Sequence, residues 1–261
     1  MILEALDITI RRSGSTVVHG LSLTARPNEV LGLIGPNGAG KTSVLRALCG
    51  LDPLASGRVT YDGRTADAFE RQALGRTIAY LAQGARIHWP MTVAEVVALG
   101  RLPHGRAEVD AAVARAMDAA DVAHLRDRTT GALSGGERAR VLLARALAVE
   151  APILLADEPV SALDPYHQLQ AMELLRATAR SGTTVIVVLH DLTLAARFCD
   201  RLVLMKDGRL LAEGPPGEVL AADRVAHAYG VTIETGTRDG EPFVLPWRRR
   251  ATPPSTTESS R

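Results

Sequence analysis

The chain has 261 residues, a net charge of +1, 46% hydrophobic residues and only 3% aromatic residues. A nearly neutral chain with few aromatic side chains lacks the basic surface and the stacking platforms of nucleic-acid-binding proteins, so that class is disfavoured. Its apolar runs are far shorter than the ~20 residues of a membrane helix and no secretory signal opens it, so we expect a soluble protein with two reduced cysteines.

The first third of the sequence predicts strands from its alternation of apolar and polar residues. A hairpin signal, Asp62-Gly63, follows the fourth of them. The predicted strands are Ile2–Ile10, Val17–Leu23, Val30–Ile34, Gly57–Tyr61 and Thr77–Leu81.

The loop after the third predicted strand fits the phosphate-binding pattern G-x-x-x-x-G-K-[ST]. It reads Gly35-Pro36-Asn37-Gly38-Ala39-Gly40-Lys41-Thr42, and Ser43 follows it in a helix predicted over Thr42–Cys49. Glycines let successive N–H groups point at phosphate oxygens, Lys41 can reach the β- and γ-phosphates, and the Thr42 hydroxyl can ligate Mg²⁺. A glycine-rich turn after a buried strand is the alternative. The phosphate-binding interpretation is favoured over the turn because only one other lysine, Lys206, occurs in the chain.

The sequence pattern changes in the middle of the chain, between Thr92 and about Asp127. Strand patterns stop and an alanine-rich helical pattern takes over, as in Ala107–Ala120. This segment predicts a small helical subdomain, about residues 90–130, inserted into an α/β body.

The segment Leu133-Ser134-Gly135-Gly136-Glu137 opens the next predicted helix. Ser134 and Glu137 have the spacing of a capping box, which explains them locally. The cap does not explain Gly135 and Gly136, because two glycines weaken a first helical turn. They permit close approach of an anion to the helix N-terminus, so the sequence predicts a second helix N-terminus that can bind phosphate.

A pair of carboxylates ends the apolar strand predicted over Ile153–Ala156. Asp157 lies where sheets of this class bind ligands and can hold Mg²⁺. Glu158 is placed to polarise a water for attack on the γ-phosphate; the alternative is a solvated pair at a strand end. Helices and strands then alternate, which predicts a parallel sheet covered on both faces. The elements are Ser134–Ala148, Pro165–Arg180 and Leu192–Phe198 as helices, and Thr184–Leu189, Arg201–Met205 and Leu210–Glu213 as strands.

With these motifs in this order, the chain resembles the ATP-binding subunit of an ABC transporter over about Leu3 to Gly230. The resemblance implies an α/β P-loop ATPase core, about residues 1–235, with an N-terminal antiparallel β subdomain. It assigns Gln83 to the Q-loop, Asp164 to the D-loop Ser161-Ala162-Leu163-Asp164, and His190 to the switch histidine. Glu158, His190 and Gln83 would be catalytic, and Thr42, Gln83 and Asp157 would hold Mg²⁺.

The family resemblance also implies a head-to-tail dimer with a second copy of the chain. ATP would lie between the loop of one copy and Ser134–Glu137 of the other. This accounts for the two helix N-termini that can bind phosphate. Members often stack adenine on an aromatic residue near position 12, where this chain has Arg12, so its guanidinium plane is expected to take that role.

The kind of transporter is suggested by the segment Trp89–His104, which in this family contacts the membrane permease. Its motif Leu-Gly-Arg-x-Pro-His resembles the corresponding segment in importers of iron–siderophore complexes, haem and cobalamin. Such a subunit would act at the cytoplasmic face of the inner membrane, beside permease subunits and, indirectly, an extracytoplasmic solute-binding protein. Zinc or manganese importers are the nearest alternative, and ABC ATPases of DNA repair or the ribosome are a further one. Residues 236–247 are expected to be an appendage, and 248–261 a disordered tail.

Overall fold

The computed structural model describes residues 1–85, 87, 89–105 and 109–250. Twelve strands are assigned in these ranges, in chain order: β1 Leu3–Arg12, β2 Ser15–Ala25, β3 Val30–Ile34, β4 Ser56–Tyr61, β5 Arg64–Thr65, β6 Ile78–Leu81, β7 Ile153–Asp157, β8 Thr184–Val188, β9 Arg201–Lys206, β10 Arg209–Gly214, β11 Val231–Arg238 and β12 Glu241–Arg249. The α-helices assigned there are α1 Lys41–Leu48, α2 Arg71–Thr77, α3 Val93–Ala98, α4 Ala111–Ala119, α5 Gly135–Leu147, α6 Pro165–Arg180, α7 Leu192–Phe198, α8 Pro216–Val219 and α9 Ala222–Tyr229. Short 3-10 helices cover Ala66–Ala68, Leu99–His104, Ala123–Leu125 and Thr130–Ala132.

The strands form a central sheet, an N-terminal sheet and a hairpin. The central sheet has the order β10-β9-β3-β8-β7-β6; its strands β9 to β6 run parallel and β10 pairs antiparallel with β9. The N-terminal sheet, β2-β1-β4-β5, is antiparallel throughout. Among the described residues, strands β11 and β12 pair only with each other. The order of the central sheet matters for function, because it makes β3, β8, β7 and β6 neighbours with their carboxyl ends at one edge.

The central strands are apolar along their whole length because both faces are covered. In β3, Leu31 and Leu33 pack into one core with α1 and the N-terminal sheet. Val30 and Ile34 point the other way, into a second core with α5, α6 and α7. Successive side chains of a strand point to opposite faces, so burial on both sides requires the unbroken runs of Val, Leu and Ile that the sequence contains.

Helix α5 joins the helical subdomain to the sheet. Its residues Val141 and Ala144 pack in a third core with α3 and α4, whereas Leu142 and Leu143 pack against the sheet. A capping box made by Thr92 and Glu95 begins α3, since Glu95 N–H donates to Thr92 Oγ1 at 3.2 Å. Because α5 packs in both cores, it connects the helical subdomain to the sheet.

The predicted fold class, an α/β P-loop core with an antiparallel β subdomain and inserted helices, is confirmed. The helix predicted over Ala107–Ala120 begins at Ala111, where Asp110 caps it, and Ala107 lies outside the described residues. The C-terminal boundary predicted at residue 248 differs from the structure, because β12 runs to Arg249 as half of a hairpin. The tail beyond Arg250 lies outside the described residues. In the described ranges, no helix combines the length and apolarity needed to cross a membrane.

Candidate active site

A cleft of about 860 Å³ opens at the carboxyl edge of the central sheet. Its volume lies in the range of small-molecule sites. Residues from five separate parts of the chain line this main cleft: Arg12, Val17, Asn37, Gly38, Gly40, Lys41, Thr42, Ser43, Gln83, Glu158 and His190. The loops after β3, β6, β7 and β8 meet here because those strands are neighbours.

The predicted phosphate loop connects β3 to α1. Gly35 has φ 146° and Gly40 has φ 95°, conformations that L side chains rarely adopt. A Cβ at Gly35 would also collide with the carbonyl oxygen of Met205 in β9. Gly40 stands directly before Lys41, with no side-chain cap on the helix. The loop therefore presents backbone N–H groups and the positive end of α1 to the cleft.

Lys41 is 6% exposed, and its ammonium group is held by backbone carbonyls of the loop. Its Nζ donates to the carbonyl of Gly35 at 2.7 Å and to that of Pro36 at 3.0 Å. Burial lowers the pKa of Lys41, while the nearby carboxylates of Glu158 and Asp157 act against that shift. The cation is thus preorganised at the mouth of the loop, where anionic oxygens would meet it.

Asp157 ends β7 with its side chain buried beneath the cleft, at 1% exposure. Thr42 Oγ1 donates to its Oδ1 at 3.3 Å, and Oδ2 is buried without a hydrogen-bond partner among the described residues. Burial raises the pKa of Asp157 and the Thr42 hydrogen bond opposes this. A buried carboxylate oxygen with no partner is costly unless a cation satisfies it, so a hydroxyl and a carboxylate here fit Mg²⁺. Within the described ranges no group of three or more His, Cys, Asp or Glu side chains is arranged to hold a metal ion, so such an ion would need other oxygens as well.

Glu158 follows β7 in a left-handed conformation, φ 52°, rather than continuing the strand. This turns its carboxylate into the main cleft, where Oε1 contacts Nε2 of His190. His190 follows β8, the neighbour of β7, and its side chain is 41% exposed. Gln83, two residues after β6, lines the same cleft. The three residues predicted to be catalytic therefore surround one space.

Arg12 and Val17 also line the main cleft. The Arg12 guanidinium Nη2 lies 3.2 Å from Oδ2 of Asp52, and Oδ1 of the same carboxylate accepts a hydrogen bond from Nη2 of Arg46 at 2.8 Å. The hydrogen bond from Arg46 is the main reason that the pKa of Asp52 is lowered. Sequence reasoning missed Asp52 and Val17, since neither belongs to a motif. Asp52 holds the Arg12 side chain, which is nearly half exposed.

The segment Ser134–Glu137 does not line the main cleft. The capping box is present: Glu137 N–H donates to Ser134 Oγ at 3.2 Å, and Ser134 N–H donates to Glu137 Oε2 at 2.7 Å. That backbone hydrogen bond from Ser134 lowers the pKa of Glu137. Packing within the chain does not require the two glycines. Among the residues that the structure describes, a Cβ at Gly135 would meet nothing within 4 Å, and one at Gly136 would make ordinary contacts at 3.7 Å.

Asp164, predicted to lie in the D-loop, is an exposed N-cap. Its Oδ1 accepts the backbone N–H of His167 at 3.0 Å, which lowers the pKa of the carboxyl. It is absent from the lining of the main cleft. The structure thus separates the predicted residues into two groups: those around the cleft, and the exposed segments containing Ser134 and Asp164.

Comparison with known proteins places this geometry in context. The sequence profile described as ABC transporter matches residues 18–161. The hemin import ATP-binding protein HmuV of Pseudomonas aeruginosa is 45% identical over 254 residues, which cover 94% of this chain and 99% of that protein. The cobalamin import ATP-binding protein BtuD of Halobacterium salinarum is 40% identical over 242 residues, covering 91% of this chain and 61% of that protein.

A solved structure also resembles the chain. It is the dimeric, post-hydrolysis state of an ATP-binding cassette bound to ADP and phosphate. The TM-score is 0.70 at 26% identity, and the match covers 82% of this chain and 98% of that one.

Proposed function

Because this chain belongs to the ABC transporter family, we propose that its ATPase activity energises an importer of haem or a related iron chelate. The observation that supports this cargo is the 45% identity to a hemin import subunit along 99% of that subunit's length. Cobalamin is the second candidate, supported by 40% identity to a cobalamin import subunit over 61% of its length. On this proposal the cargo itself is bound by permease and solute-binding subunits.

The chemistry proposed for the main cleft is hydrolysis of the γ-phosphate of ATP. Lys41 and the backbone N–H groups between Gly35 and Lys41 would bind the β- and γ-phosphates. Thr42, Gln83 and Asp157 would hold Mg²⁺, which when bound neutralises phosphate charge. Glu158 would accept a proton from the attacking water, and His190, in contact with Glu158, would contact the γ-phosphate. Arg12 and Val17 would approach the base.

A second copy of the chain is proposed to complete each site. Support comes from Gly135 and Gly136, whose lack of a side chain serves no packing purpose within one chain. Glycine is a poorer helix former than alanine, so a role outside the chain would account for the pair. The exposed Ser134 end of α5 is free to approach phosphate held by the loop of another copy. Asp164, also exposed, would lie at the same interface.

A mixing experiment tests the shared sites. Subunits carrying Ser134→Arg and subunits carrying Lys41→Ala are each expected to be inactive alone. Mixed in equal amounts they would form heterodimers with one intact site, so the mixture should recover about a quarter of the wild-type ATPase rate. The readout is phosphate release. A rate no higher than that of either variant, with heterodimers demonstrated by native mass spectrometry, would refute shared sites.

A permease is the proposed membrane partner, and residues 89–104 are the proposed contact. Trp89 is 74% exposed and Leu102 is 55% exposed, so this segment offers two large apolar side chains that a partner could cover. Docked on a permease, the chain would be a peripheral membrane protein without a spanning helix of its own in the described ranges.

The cargo is tested by uptake in a strain that lacks this chain. Haem, a ferric siderophore and cobalamin are supplied separately, each labelled, and uptake is compared with the strain complemented by the wild-type sequence. We expect haem uptake to fall to background and to return on complementation. Loss confined to cobalamin would replace the proposed cargo, and normal uptake of all three would overturn the iron-chelate proposal. Complementation with Glu158→Gln serves as the matched control, because that variant is expected to be present but inactive.

A further inference from the structure

An arginine in the loop before α5 contacts the Ser134 end of that helix directly. Arg128 Nη1 donates to Oε1 of Glu137 at 3.2 Å, and its Nη2 donates to the carbonyl of Ala132 at 3.3 Å. The other carboxylate oxygen of Glu137, Oε2, accepts the backbone N–H of Ser134 at 2.7 Å. A single carboxylate therefore joins the Arg128 guanidinium to the N-cap residue of α5.

The capping box and the Arg128 contacts restrain different things. Ser134 and Glu137 satisfy each other's backbone N–H groups, so they define where α5 begins. Arg128 instead fixes this helix end relative to the loop before it, because its planar guanidinium holds the Glu137 carboxylate and the Ala132 carbonyl at once. Its side chain is 50% exposed, and exposed ion pairs add little to stability, so orientation is the larger effect.

The backbone around Arg128 is itself anchored to the beginning of α3. Val93 N–H donates to the Arg128 carbonyl at 3.0 Å, and Thr130 N–H donates to the carbonyl of Met91 at 2.9 Å. The Thr130 hydroxyl, on a side chain buried in the subdomain, donates to the carbonyl of Trp89 at 3.2 Å. The guanidinium thus extends from a backbone that hydrogen bonds hold on both sides of it.

The helix end that Arg128 holds faces out of the subunit. Ser134 and Gly135 are exposed. Arg128 is absent from the lining of the main cleft, as Ser134 is. Within one subunit, therefore, its contacts lie apart from the phosphate loop, and any effect on bound nucleotide has to reach a site that another copy provides.

We propose that Arg128 is a positioning residue for the shared sites. Through Glu137 it holds the Ser134 end of α5 in the direction from which this end meets phosphates bound by the second copy. Arg128 then influences the site whose phosphate loop belongs to the other subunit, and not the cleft of its own. This inference rests on the proposed function, since it requires two copies to share each site.

The mixture of Ser134→Arg and Lys41→Ala subunits provides the test, because only one site of the heterodimer can be active. That site combines the phosphate loop of the Ser134→Arg subunit with the Ser134 end of the Lys41→Ala subunit. Adding Arg128→Ala to the Lys41→Ala subunit should lower the recovered rate of phosphate release about three- to tenfold, the value of one hydrogen bond. Adding it to the Ser134→Arg subunit should leave the recovered rate unchanged.

The two mixtures contain the same substitutions, so a general weakening of the fold would lower both rates equally. Equal losses, or no loss in either mixture, would overturn the positioning role. Arg126→Ala on the Lys41→Ala subunit is the matched control from the same loop and should keep the recovered rate, since Arg126 Nε lies 3.8 Å from Oδ1 of its neighbour Asp127.

Two further measurements separate this inference from the proposed function. Titration calorimetry with ADP and Mg²⁺ should give wild-type affinity for Arg128→Ala alone, and weaker binding would show that Arg128 acts on its own cleft. If the parent mixture, without Arg128→Ala, recovers no activity although heterodimers form, the shared sites themselves fail and the positioning role fails with them. Recovery in the parent mixture with equal rates for both placements of Arg128→Ala would overturn the positioning role only.

Discussion

Replacing Glu158 by glutamine is expected to lower the rate of ATP hydrolysis at least about 100-fold, the contribution of a general base, while ATP binding is retained. The amide has nearly the same shape as the carboxylate but cannot accept a proton from water. The Glu158 side chain lies in the cleft and contacts His190. The Asp157 side chain instead lies beneath the cleft and accepts a hydrogen bond from Thr42. The neighbouring carboxylate is therefore badly placed to replace the lost base.

A second consequence of Glu158→Gln concerns the dimer. If ATP lies between two copies and hydrolysis separates them, the variant should accumulate as a dimer when ATP is present. Size-exclusion chromatography with and without ATP measures this, alongside steady-state phosphate release. Glu173→Gln, at an exposed position of α6, is the matched control and should behave as the wild type. An unchanged hydrolysis rate in Glu158→Gln would exclude Glu158 as the catalytic base.

Replacing Lys41 by alanine is expected to weaken ATP binding by about 2 kcal/mol, or roughly 30-fold, the value of hydrogen bonds to a charged group. Lys41 Nζ is already fixed by the carbonyls of Gly35 and Pro36, so little side-chain entropy is lost when phosphate binds. Without the ammonium group, the charge of the phosphates would face Glu158 and Asp157 with less compensation.

Two further variants test whether the charge of Lys41, and not its volume, is responsible for the affinity. Lys41→Met keeps the aliphatic stem, so it should lose almost as much affinity as Lys41→Ala if charge is responsible. Arg180→Ala removes a cation from an exposed position of α6 and should leave affinity unaltered. Titration calorimetry with ATP and Mg²⁺ gives all three constants. Wild-type affinity in Lys41→Met would contradict the assignment of the loop.

The sequence alone was sufficient for features that depend on local spacing. The phosphate loop, the capping box of Ser134 and Glu137, and the strand Val30–Ile34 are each defined by neighbours within a few residues, and each has its predicted local form. Helix Pro165–Arg180 was predicted to the residue, because Asp164 caps it and proline opens it. The family resemblance added Gln83 and His190, which no local pattern would have singled out.

Only the tertiary structure decided which of these features meet. The order β3-β8-β7-β6 brings the phosphate loop, His190, Glu158 and Gln83 to one cleft. It leaves Ser134 outside that cleft. The guanidinium of Arg12 is likewise tied to Asp52, which the sequence did not connect with it. A strand pattern specifies length and burial but not the neighbouring strand, so contacts between distant residues are determined by how the sheet assembles and by turns such as the left-handed one at Glu158.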